Sequence, residues 1–292
     1  MWNLRWQVNG FLSVCPDALS NVLTNRFVHG SDIHGANLKR AYVESSWEEQ
    51  KEKLAGFLLV NVIALYESYL SCLHDQLASC NDTKSAFDLR KATENLQFPT
   101  DTANKKGGGI WNAIETIRTR ESEMLKNAFY DGLLKNKKNS KANLDNLMHC
   151  YRYFKECRNA LIHSGGRAGK NTKSAYDRFL SVASSLGLGE TPCHFQIEEG
   201  EPVRLNLRGI VGFCDVVLRI IATVDAELSF TEPAEHIFKN RWIAVNGKGV
   251  SLPKREDSRK KKLNQLIVKL GLPPVDMPGE VERFLQRDGL IN

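Results

Sequence analysis

The sequence predicts a mainly α protein, an up-and-down helical bundle with a small β-hairpin insertion and a basic C-terminal α(+β) appendage. Two observations carry this. Apolar residues recur at steps of three and four through 47–78, 141–163 and 209–228, which places them along one face of a helix. Alternation by twos is confined to short stretches, near 2–8 and 194–207.

Residues 1–44 read as an N-terminal extension. Trp2, Leu4, Trp6 and Val8 alternate with polar residues, as in a short strand. Pro16-Asp17 opens a short helix through Leu23, and Gly30 and Gly35 mark a loop. Residues 45–230 read as the helical domain. Ser45 or Ser46 caps a long helix reaching Ala78, with Glu48 and Glu49 in its first turn. The expected core stripe is Leu54, Phe57, Leu58, Val62, Leu65, Tyr69, Cys72, Leu73 and Leu77. A short helix through Phe87 and Leu89 follows, then the breakers Pro99 and Gly107-Gly108-Gly109. A helix is expected from Ile110 to about Lys126, and a basic loop over 135–141. The next helix runs from about Lys141 to His163, with Leu147, Cys150, Phe154, Cys157 and Leu161 inward. Gly165-Gly166 suits a left-handed cap.

A shorter helix from Thr172 to about Leu186 leads to the hairpin. Its arms are His194–Ile197 and Val203–Leu207, around Glu198-Glu199-Gly200-Glu201. An apolar helix spans about Gly209–Leu228, and Pro233 ends it. Residues 231–292 read as a basic module or docking tail. Trp242 and Val245 suggest a short strand. A basic run leads into a helix through Leu270, and a last helix reaches Leu285.

The chain has 292 residues, 40 Lys and Arg against 34 Asp and Glu, and a net charge of +6, which suits a polyanionic partner without requiring one. Its seven cysteines are scattered, with no CxxC pair, as in a reducing compartment. The first residues carry no basic-then-apolar signal. The longest apolar stretch, Phe57–Leu65, contains Asn61 and is short for a bilayer. A cytoplasmic protein that does not span a membrane is expected. Cys72, His74 and Cys80, and His149, Cys150 and Cys157, lack paired metal-ligand spacing. The glycine run lacks a GK[ST] ending. No metal and no cofactor is expected.

The chemistry concentrates at Arg158-Asn159-Ala160-Leu161-Ile162-His163. At 100° per residue, Asn159 and His163 share a face, while Arg158 lies roughly 140° from His163. One helix therefore presents half of a site, and a second copy packed across a two-fold axis would complete it. Cleaving RNA without metal needs a base for the 2′-hydroxyl, a cation for the phosphate and an acid for the leaving oxygen. Histidine and arginine are suited to these tasks.

The run matches the R-x4-6-H signature of the HEPN superfamily and resembles it in three further ways. A polar residue, Asn159, follows the arginine. Glycines follow the helix. The long helix carrying Ala64-Leu65-Tyr66-Glu67-Ser68-Tyr69-Leu70 resembles the family's early helix. The resemblance covers roughly residues 45–230. It implies a dimeric bundle that cleaves RNA without metal to a 2′,3′-cyclic phosphate, as in bacterial toxins, phage-defence proteins and CRISPR-associated nucleases. It assigns catalysis to Arg158, Asn159 and His163, with Glu67 in support; Tyr151 and Lys155, which lie between Arg158 and His163 around the helix, are further supporting candidates. Gly165 stands where one toxin subfamily has a tyrosine, so that subfamily is not matched. Arg152, with Lys254, Arg255, Arg259, Lys260, Lys261 and Lys262, is expected to contact RNA. Tyr151 and Tyr153 are candidates for stacking on bases. The alternative is a non-catalytic HEPN-like subunit that binds RNA, a nucleotide or a partner protein of a defence complex, with the tail as its docking element.

Overall fold

Ser46 sets the start of the longest helix, α3 (Trp47–Cys80). Its hydroxyl accepts from the Glu49 N–H at 3.1 Å, and the Glu49 carboxylate accepts from the Ser46 N–H at 3.0 Å. This reciprocal cap contributes about 1 kcal/mol and fixes which residue opens the helix. The computed structural model describes residues 2–27, 38–80, 86–100, 109–118, 120–275 and 278–292. The expected loop at Gly30 and Gly35, and Gly107-Gly108, lie outside them. Among the described residues the fold is α, with isolated bridges in place of strands.

The bundle is built from α3, α4 (Ala86–Asn95), α5 (Ile110–Ile117), α8 (Leu144–His163), α9 (Lys170–Val182) and α10 (Leu207–Leu228). Between α5 and α8 come α6 (Glu123–Leu125), a π-helical turn over Lys126–Tyr130, and α7 (Asp131–Leu134). The helix expected from Ile110 to Lys126 is thus interrupted after Ile117. Leu147, Cys150, Phe154 and Cys157 of α8 are buried, as their spacing requires. An aromatic seam joins α3, α8, α9 and α10. Tyr66 meets Tyr151 at 4.8 Å, Phe154 meets Phe213 at 4.5 Å, and Tyr153 stacks on Phe179 at 5.0 Å between ring centroids.

On α3 the buried apolar residues are Ala55, Leu59, Ile63, Tyr66, Leu70 and Leu77; of the expected stripe Leu77 is buried, and Leu58, Val62, Tyr69 and Leu73 pack half-buried against the same core. Phe57 and Leu65 are 66% and 68% exposed, and Cys72 is exposed. The helix is apolar around most of its girth, so periodicity alone does not select the inward face. By length and composition its Trp47–Ser79 portion could also cross a bilayer, with a mean hydropathy of 1.5.

The β-hairpin does not form. The turn at Gly200 is present, but its arms pair with the loop after α8. Ala168 N–H donates to Glu201 C=O at 2.9 Å, Gly200 N–H to Ala168 C=O at 2.8 Å, and Val203 N–H to Gly166 C=O at 2.8 Å. Ile197, Val203 and Leu205 are buried. Their apolar side chains are satisfied by the bundle, so the arms need no ladder with each other. The close approach of the segment between α9 and α10 to α10 itself depends on Gly209. A Cβ there would sit 2.0 Å from the Cys193 carbonyl oxygen. Gly209→Ala is expected to cost about 1–3 kcal/mol, read as a lower urea midpoint. An unchanged midpoint would mean that this contact is not formed in solution.

The N-terminal residues form α1 (Trp2–Val14) and α2 (Ser20–Phe27), not a strand. Val8 and Leu12, four apart, pack on Leu23 and Leu38. The alternation over 2–8 is too short to separate the two periods.

The C-terminal residues form α11 (Glu232–Asn246), α12 (Glu256–Lys269) and α13 (Gly279–Arg287). Pro233 opens α11 behind the Thr231 cap, a place proline favours. Trp242 is a fully buried helix residue, not part of a strand. These helices build a second core with Phe238, Trp242, Ile267, Val281 and Leu285, and Leu125 and Phe129 enter it from α6 and the turn after it. Buried Glu227 of α10 ties this region together. It lies 2.8 Å from Lys141 Nζ and 3.3 Å from Arg118 Nη1, and accepts from the Tyr130 hydroxyl at 2.8 Å.

Candidate active site

α8 ends where the sequence places its end. Gly165 and Gly166 have φ of 59° and 78°. The Ala160 carbonyl accepts from the N–H groups of Ser164 and Gly166, each at 3.0 Å. Left-handed glycines close the last turn and hold His163, exposed, at its end.

The polar residues of α8 divide into two rows. Tyr151, Lys155 and Arg158 face α3, within roughly 60° of one another on the wheel. His149, Arg152, Glu156, Asn159 and His163 fill a second row roughly 80° wide. The first row meets Glu67 of α3. Lys155 Nζ lies 2.9 Å from its Oε1, and Arg158 Nη2 3.9 Å from its Oε2. Lys155 also donates to Gln97. Arg158 is half-buried, and its Nε is buried with no hydrogen-bond partner among the described residues. In the second row Arg152 Nη2 lies 2.6 Å from Glu156 Oε1. Asn159 joins the rows. Its Oδ1 accepts from Arg158 Nη1 at 3.1 Å, and its Nδ2 donates to Glu156 Oε2 at 3.5 Å.

The structure thus gathers Arg158, Asn159, Glu67 and Lys155 into one polar cluster and leaves His163 outside its hydrogen bonds. Glu67 lies between the two cations Lys155 and Arg158. Tyr151 and Tyr153 do not serve as base platforms. Both rings are buried in the aromatic seam, and Tyr151 is fully enclosed by Tyr66 and Phe213. Burial, reinforced by the nearby Glu67 charge, raises the Tyr151 phenol well above its ordinary range. Burial also pushes the Cys157 thiol up to about 12 and raises Cys150. Both thiols point into the core and stay protonated at neutral pH.

The basic run is split. Lys254, Arg255, Lys260, Lys261 and Lys262 are exposed at the start of α12. Arg259 turns inward, where its Nε donates to Glu282 of α13 at 2.6 Å, so it braces the second core. Glu156 was missed by the sequence reading, although it stands four residues from Arg152 and three from Asn159. Gln97 lies 58 residues away from Lys155 and carried no signal. Among the described residues no group of His, Cys, Asp and Glu could hold a metal ion. Comparison with protein-family models, with curated proteins and with solved structures gives no match.

Proposed function

We propose that this protein is a HEPN-type endoribonuclease. It cleaves RNA by attack of the 2′-hydroxyl, leaves a 2′,3′-cyclic phosphate, and serves bacterial phage defence or toxin-type growth arrest. The observation that carries this reading is the placement of Arg158. It is held by Glu67 and Asn159 on a rigid bundle, five residues before an exposed His163 at a glycine-closed helix end. The guanidinium would meet the charge that grows on the phosphate once Glu67 yields to it. His163 would carry the proton. The first test is cleavage of single-stranded RNA in EDTA, with the cyclic phosphate identified by mass spectrometry. Intact RNA at high enzyme concentration would overturn the reading.

Arg158 and His163 of one chain stand roughly 140° apart around α8 and about 7.5 Å apart along it, an awkward grip for one phosphate. The active form is therefore a homodimer. The exposed apolar side chains Phe57 and Leu65 of α3 and Ile162 of α8 are the surface a second copy would cover. Phe57→Glu is expected to convert a dimer to monomers in sedimentation experiments, with cleavage lost in parallel. A wild-type monomer with full activity would refute the pairing.

A binding subunit is the second reading. The five exposed cations around the start of α12, which packs into the second core, favour it as a contact for a polyanion. RNA that is retained but never cut would select it.

A further inference from the structure

A cavity of about 450 Å³ lies where the bundle core meets the second core. Leu73 of α3 and Leu228 of α10 wall it from the bundle, and Phe129 and Ile237 wall it from the other side. Most of the lining is apolar. A space of this size, apolar with a few polar groups, has the make-up of a small-molecule site.

Two charged side chains line it, one of each sign. Asp225 of α10 accepts from the Tyr69 hydroxyl at 2.7 Å and has no cation partner among the described residues. Asp225 is exposed, yet the protein around it removes enough solvent to raise its carboxyl pKa. A group on the wall of an open cavity has both properties. The same enclosure, reinforced by the Asp225 charge, raises the Tyr69 phenol, so Tyr69 stays a donor. It fills one of about four acceptor positions on the carboxylate and leaves the rest open. Arg241 of α11 lines the same cavity beside the turn after α12. A Cβ on Gly271 of that turn would lie 3.7 Å from Arg241 Nη2. The guanidinium is exposed and has no carboxylate partner among the described residues. Asp225 and Arg241 thus share a cavity without pairing with each other. A ligand that carries both signs of charge can bridge them.

We infer that this cavity binds a small zwitterion with an apolar carbon skeleton. Its ammonium donates to Asp225, its carboxylate accepts from Arg241, and its carbons lie against Leu73, Phe129, Leu228 and Ile237. A simple amine would satisfy Asp225 but meet Arg241 as a like charge, and a simple carboxylate would do the reverse. An α-amino acid with an aliphatic side chain carries both charges at one end. An ω-amino acid carries them at opposite ends of its chain. Both have the required chemistry. None of the lining residues belongs to the polar cluster on α8, so the site stands apart from the ribonuclease reading.

The test titrates the full-length protein with leucine, 6-aminohexanoate, hexylamine and hexanoate by calorimetry. At least one of the two zwitterions is expected to bind about ten-fold or more tighter than both hexylamine and hexanoate, the usual worth of a hydrogen bond to a charged group. Leucine as the tighter ligand would place both charges at one end, and 6-aminohexanoate would place them at two. Asp225→Asn and Arg241→Gln should each weaken the tighter zwitterion about ten-fold or more. Asp225→Asn keeps an acceptor for Tyr69, and Arg241→Gln removes no ion pair, so both variants should keep the wild-type circular dichroism spectrum. Zwitterions that bind no tighter than the two singly charged compounds would overturn the inference. So would a zwitterion whose affinity neither substitution moves.

Discussion

His163→Ala and Arg158→Ala are each expected to lower the rate of RNA cleavage in EDTA by about 10²–10⁴-fold, the usual worth of a positioned proton carrier or a charge-stabilising donor. His163 is exposed and touches none of the polar cluster, so its loss should leave the melting temperature unchanged. Arg158→Ala removes a half-buried cation, but Lys155 remains against Glu67 at 2.9 Å and keeps that carboxylate paired. Arg158→Lys separates charge from geometry. It keeps the cation and loses the planar fork, so partial activity is expected. Mixing the two alanine variants tests the two-chain site directly. Each chain supplies what the other lacks, so one site in each mixed dimer is whole. With half the dimers mixed, about a quarter of wild-type activity should return. A mixture as inert as its components would place both groups of each site on one chain.

Glu227→Ala is the substitution expected to cost most in stability, about 3 kcal/mol. Removing one partner of a buried ion pair costs about 3–5 kcal/mol, because the remaining charge is left without compensation. Here Glu227 is fully buried, while the Arg118 and Lys141 side chains remain 28% and 45% exposed. Both cations can turn to water, which holds the loss at the lower end. The Tyr130 hydroxyl also loses its acceptor. Glu227→Gln, which keeps the shape and one acceptor oxygen, should cost less. Urea unfolding followed by circular dichroism measures both. A loss under about 1 kcal/mol for the alanine variant would mean that the carboxylate is not enclosed as described.

Helices and their ends were legible because local chemistry settles them. Ser45 or Ser46, followed by Glu48 and Glu49, marked one start, Gly165-Gly166 marked one stop, and the α8 core followed its spacing. Facing was legible where apolar and polar residues segregate, as on α8, and illegible on α3, where Phe57 and Leu59 are equally apolar and only packing chooses between them. The hairpin reading failed for a related reason. Alternation around Gly200 reports buried and exposed residues, but not which backbone will pair with them, and the Gly166–Ala168 loop lies more than 30 residues upstream of that turn. At the site, Arg158, Asn159 and His163 were legible as a motif. The sequence placed Glu67 near them by resemblance, and geometry then set its carboxylate between Lys155 and Arg158. The inward turn of Arg259 was hidden, because a basic run does not reveal which of its members meets a distant acid.

The second core has a consequence for how the protein is made. Leu125 and Phe129 leave the ribosome well before Val281, Leu285 and Ile291, which cover the same core. About 160 residues of chain must therefore be synthesised between the first contributors and the last, and contacts so remote in sequence form slowly. Until then Phe129 and Trp242 are apolar surface in search of a partner. A nascent or truncated chain lacking α13 would be a client for chaperones and proteases.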